Sequence, residues 1–121
     1  GLGRILPHLD GRFSATAMRV PTVNVSMMEL SAVVETAVDT AEDINKMLHR
    51  HSNERYQGVL GFTREPLASC DFNHDPRSAI VDGGQTSVTR GRLIKVKAWF
   101  DNEWGYANRM LDVARYWGGL Q

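Results

Sequence analysis

Apolar residues recur along the chain at two periods, and the switches between them divide it into elements. Leu2, Ile5, Leu6 and Leu9 follow the i, i+3, i+4, i+7 spacing of an amphipathic helix. No Ser, Thr, Asp or Asn precedes them to cap it, and the chain opens on GLGR without a methionine. A helix entered partway along is expected, and with it a piece of a longer protein. After Pro7 and the LDGR turn, residues 13–20 read as a strand closed by Pro21. Residues 23–35 read as a longer strand whose parity changes: Val23, Val25 and Met27 share one face, and Met28, Leu30, Ala32 and Val34 take the other. A β-bulge near Met27–Met28 is the predicted repair, because one extra residue flips every later side chain.

Helical spacing returns after Thr40, whose hydroxyl suits an N-cap, with Asp43 at the reciprocal capping-box position. Ile44, Met47, Leu48 and His51 form the expected inward stripe, Glu42 and Lys46 an i, i+4 pair, and fraying is expected near Ser52–Asn53. Residues 58–63, 67–72 and 78–81 read as short strands separated by the turn residues Asn73, Asp75–Pro76 and Gly83–Gly84. Residues 93–100 alternate well, with Ile94, Val96, Ala98 and Phe100 on one side. A last helix is predicted over 106–117, with Met110, Leu111, Ala114 and Trp117 at helical spacing. Runs of strands with only partial strand–helix alternation imply an α+β domain, its mixed, largely antiparallel sheet carrying helices on one face.

A chain of 121 residues, 42% of them hydrophobic, is one domain's worth and large enough for a single core. Its 14 basic and 14 acidic side chains cancel, so charge suggests neither nucleic acid nor an anionic membrane as partner. No run approaches the ~18–20 apolar residues of a membrane span. No Gly-rich strand-to-helix phosphate loop occurs, so these residues alone are not a dinucleotide-binding unit. His49 and His51 sit two apart, on different faces of the predicted helix, and make a poor metal pair.

The lone cysteine lies in PLASCDFNHD, with Asp71 beside it and His74 four positions on. That grouping suggests a thiol nucleophile with a histidine base. If the stretch is a strand, however, four residues span about 13 Å, too far for a thiol–imidazole hydrogen bond unless the chain folds back. Cys70 is therefore expected to be structural, and a single cysteine, unable to form an internal disulfide, fits a cytoplasmic setting.

Four spaced stretches, AMRVPTVNVS (17–26), GVLGFT (58–63), DFNHDPRSAIVD (71–82) and WFDNEWGYANRMLD (99–112), resemble the catalytic domain of the glyceraldehyde-3-phosphate dehydrogenase superfamily. The resemblance runs in order from about Gly3 to Asp112. DFNHDPRSAIVDGGQT and ANRMLD are most similar to its erythrose-4-phosphate dehydrogenase branch. In that superfamily a cysteine thiolate attacks a phosphorylated sugar aldehyde, hydride passes to NAD, and a thioester is cleaved by water or phosphate. The family's Ser-Cys-Thr-Thr-Asn signature, its histidine and its NAD-binding half are absent from this sequence. No catalytic residue is therefore expected within residues 1–121, which would form a single partial catalytic domain, inactive alone and binding NAD weakly.

By the same resemblance, Arg19 in MRVPT matches the arginine that binds a phosphate, a task suited to an always-charged planar fork of donors. Asn102 matches the asparagine that hydrogen-bonds the nicotinamide carboxamide, offering both a donor and an acceptor. Tyr106 matches an aromatic beside the nicotinamide. The implied partners are a phosphorylated sugar aldehyde, NAD, and further copies of the chain joined through the sheet face. The alternatives are a glyceraldehyde-3-phosphate dehydrogenase portion and a free-standing, non-enzymatic assembly module.

Overall fold

The strand with the cleanest alternation is the one around which the sheet is built. The computed structural model describes residues 2–119. In chain order its elements are α1 (Leu2–Ile5), β1 (Ser26–Val33), α2 (Ala41–Asn53), β2 (Leu60–Thr63), β3 (Ala79–Asp82), β4 (Ser87–Thr89), β5 (Leu93–Phe100) and α3 (Asn102–Trp117). β5 pairs antiparallel with β1 along its whole length, from Ser26↔Phe100 to Val33↔Leu93. It also pairs antiparallel with β3 and β4, and β3 pairs parallel with β2. The order is β1-β5-β3-β2 with β4 attached to β5. The sheet is mixed and largely antiparallel, and the domain is α+β, as expected.

Neighbouring residues of β3 serve opposite faces, because side chains alternate along a strand. Val81 joins Ile44 of α2 and Val96 of β5 in one cluster, with Leu48, Leu60, Phe62 and Ile94 around it. Ile80 joins Val25 and Phe72 in the other, with Leu67 and Trp99 against it. The Phe72 and Trp99 rings stack there, with centroids 5.6 Å apart.

Several expectations need correction. The β1–β5 register runs without interruption, so no bulge occurs at Met27–Met28. The parity break falls two residues before Met27, at Val25, which has φ 71° and turns the chain before β1 begins. A β-branched residue in the left-handed region is strained, and the burial of its side chain helps hold it there. Residues 13–20 are not a strand but an exposed irregular segment, with no neighbouring strand to pair with among the described residues. The strand predicted at 67–72 is instead a 3₁₀ turn, Ser69–Phe72, closed by the Ala68 N–H donating to the Asp71 carboxylate at 2.8 Å. The opening helix ends at Ile5 and gives way to a 3₁₀ turn over Pro7–Leu9, since Pro7 has no N–H to continue the ladder.

On α2 the capping box is present: the Asp43 N–H donates to Thr40 Oγ1 at 3.2 Å and the Thr40 N–H to Asp43 Oδ2 at 3.1 Å. The buried residues of α2 are Ile44, Asn45 and Ser52, with Leu48 and His51 half-buried, while Met47 of the expected stripe is exposed. Asn45 earns its place by donating to the Gly83 carbonyl at 2.9 Å. Glu42 pairs with Arg64 beyond the helix, at 2.7 Å, not with Lys46. Replacing Thr40 with Ala is expected to cost about 1 kcal/mol, read as a lower urea midpoint at unchanged m-value. An unmoved midpoint would show that the box contributes nothing.

Candidate functional site

The site begins where β5 ends. Asp101 follows Phe100, is only 1% exposed, and adopts the extended conformation of an N-cap. Its Oδ1 accepts from the N–H groups of Glu103 (3.2 Å) and Trp104 (2.9 Å), satisfying donors that a helix start leaves unpaired. α3 therefore starts at Asn102, four residues before the predicted start at 106. Oδ2 faces away from the helix, accepting from Asn24 Nδ2 and from the His74 N–H, both at 2.9 Å. The other hydrogen of the Asn24 amide goes to Asn73 Oδ1 at 2.6 Å. Burial pushes the Asp101 carboxyl up, but these hydrogen bonds outweigh it and hold the group below the usual carboxylate range.

A shallow cleft of ≈ 230 Å³ lies along the first two turns of α3, with Asn102, Tyr106 and Arg109 on its helix side and Ser78 and Phe100 on its sheet side. Gly105 lets the helix come this close: a Cβ there would stand 3.0 Å from the Arg77 carbonyl oxygen. Arg109 pins the next turn by donating to the carbonyls of Gly58 (3.3 Å) and Pro76 (3.5 Å) and pairing with Asp112 at 2.9 Å. Beyond these anchors α3 is uncovered by the described residues, and Met110, Leu111 and Trp117, which recur at helical spacing, are all exposed.

Of the residues singled out from sequence, Asn102 and Tyr106 are brought together on one cleft, both exposed. An exposed side-chain amide can donate and accept hydrogen bonds, and an exposed aromatic ring can cover an apolar face. Arg19 does not line that cleft. It is exposed on the irregular segment 13–23, which Asn24 ties to Asp101. Cys70 is exposed in the 3₁₀ turn, and the His74 ring lies against Trp104 with centroids 4.7 Å apart. Among the described residues no group of three or more His, Cys, Asp or Glu could hold a metal ion, and no helix is long and apolar enough to cross a membrane.

Sequence reasoning missed Asp101, Asn24 and Arg109. The signal for the first was available, because Asp followed two residues later by Glu is a helix-start pattern, and DNEW has it. The model of the family described as glyceraldehyde 3-phosphate dehydrogenase, C-terminal domain, matches residues 1–102. The match includes Arg19, Asn24, Asp101 and Asn102, and stops short of Tyr106.

Proposed function

The chain belongs to the glyceraldehyde 3-phosphate dehydrogenase C-terminal domain family, and from that premise we propose that it forms the substrate-side portion of an NAD-dependent dehydrogenase of phosphorylated sugar aldehydes. Erythrose 4-phosphate is the preferred substrate in this reading, with glyceraldehyde 3-phosphate second. The observation that carries it is the cleft beside α3, where a free-facing amide and an aromatic ring stand together at a turn fixed by a buried carboxylate.

In this reading Arg19 binds the substrate phosphate, Asn102 orients the cofactor carboxamide, and Tyr106 covers the adjoining ring. NAD, when bound, takes up the hydride released on aldehyde oxidation. The thiol nucleophile and its base come from sequence outside residues 1–121, since Cys70 stands in an exposed turn without an imidazole turned to it. The enzyme works in the cytoplasm as a homo-oligomer. Support for association comes from β1, an edge strand whose Met27, Met28, Leu30 and Val33 are exposed. The same surface favours the second reading, a non-enzymatic assembly module.

The test uses the enzyme that carries this domain. Arg19→Leu is expected to raise KM for erythrose 4-phosphate by about 10–100-fold, the worth of a lost charge-assisted contact. Oxidation of unphosphorylated erythrose should be unchanged. Equal effects on both substrates, or on neither, would remove Arg19 from phosphate binding. Absence of NAD reduction in the wild type would favour the assembly module.

A further inference from the structure

We propose that Asp101 is a positioning residue that holds the Arg19 segment in register with the cofactor-facing turn of α3, and that Asn24 is its arm. The inference rests on the roles just given to Arg19 and Asn102. It starts from a division of labour within one carboxylate. Oδ1 does everything an N-cap requires, accepting from Glu103 and Trp104. Serine, threonine or asparagine performs that task about equally well. Oδ2 accepts from Asn24 and from the backbone of His74, neither of which belongs to α3. Only an acceptor with two oxygens can serve both sides at once.

What hangs from that second oxygen is the chain that carries Arg19. Residues 13–23 are exposed and outside helix and strand. Among the described residues their one side-chain hydrogen bond to the body is Thr22 Oγ1 with Ser69 Oγ at 3.4 Å, a long and weak contact. Firm attachment begins at Asn24, which bonds Asp101 and Asn73 together, and continues at buried Val25 with its left-handed backbone. Arg19 lies five residues before Asn24, and Asn102 directly follows Asp101. The two exposed groups are thus referred to one buried side chain at the floor of the cleft beside α3. A misplacement of about 1 Å at such a site is enough to cost binding or rate.

Two variants separate the tether from the cap. Asn24→Ala removes the arm and leaves the cap. Asp101→Ser keeps a capping oxygen and cannot reach Asn24. In the enzyme that carries this domain, both are expected to raise KM for erythrose 4-phosphate about tenfold, with KM for NAD within about twofold of wild type. Independently of activity, backbone order parameters over 17–24 should fall in both variants, while the first turn of α3 keeps its values. Unchanged order parameters over 17–24 in Asn24→Ala overturn the tether, as does a rise in both KM values together. Lowered order parameters with an unmoved KM for erythrose 4-phosphate overturn instead the phosphate role of Arg19, so the two failures are told apart.

Discussion

Asp101→Ala is expected to lower the unfolding free energy by about 3–5 kcal/mol, a large part of the ~5–15 kcal/mol that holds a domain of this kind together. Loss of an N-cap alone costs about 1 kcal/mol. The remainder comes from Asn24 Nδ2 and the His74 N–H, which lose a shared charged acceptor, and a hydrogen bond to a charged group is worth about 1.5–3 kcal/mol. The sign of the pH dependence follows from the depressed carboxyl. Stabilisation by the ionised form is complete above the unfolded value of about 3.9 and is lost as pH falls through the lower folded value. Wild type should therefore lose stability below about pH 4, and Asp101→Asn should show a shallower slope there. Urea unfolding at neutral and acid pH checks both. A loss near 1 kcal/mol at neutral pH, with the slope unchanged, would reduce Asp101 to an ordinary cap.

The same residue shows why part of the site was legible in the sequence and part was not. Leu93–Phe100 and the capping box at Thr40 were readable because a period of two and a reciprocal side-chain pair are local properties. The start of α3 is hidden from periodicity, which begins at Tyr106, because the first turn of this capped helix carries no apolar stripe. Spacing points Met47 inward, yet Asn45 is buried instead, since a hydrogen bond to Gly83 makes a polar group acceptable there. The segment 13–20 has the alternation of a strand, but alternation cannot supply a pairing partner. Ser69 takes a left-handed backbone (φ 44°) that its residue type does not announce, and it makes a turn of the predicted strand. Asn24 and Asp101 are 77 positions apart, so their bond leaves no local trace at all.

The second large effect lies in the core beneath that tether. Ile80→Ala is expected to cost about 3–4 kcal/mol, within the range for removing a fully buried aliphatic side chain. Ile80 is 1% exposed and sits with Val25 and Phe72 under the Phe72–Trp99 stack. Because those rings are held against each other and against the sheet, the void closes poorly, and the penalty belongs in the upper part of the range. The coupling with Val25 is the sharper test. Val25→Gly alone loses a buried side chain but relieves a left-handed backbone worth about 1–2 kcal/mol, so its net cost is small. With Ile80 already truncated there is less packing left for Val25 to lose, and Val25→Gly should become neutral or stabilising. A double-mutant cycle should therefore give a coupling of about 1 kcal/mol. Strict additivity would mean that Val25 is held in its unusual conformation by Asn24 alone, leaving the hydrophobic cluster no part in seating the segment that carries Arg19.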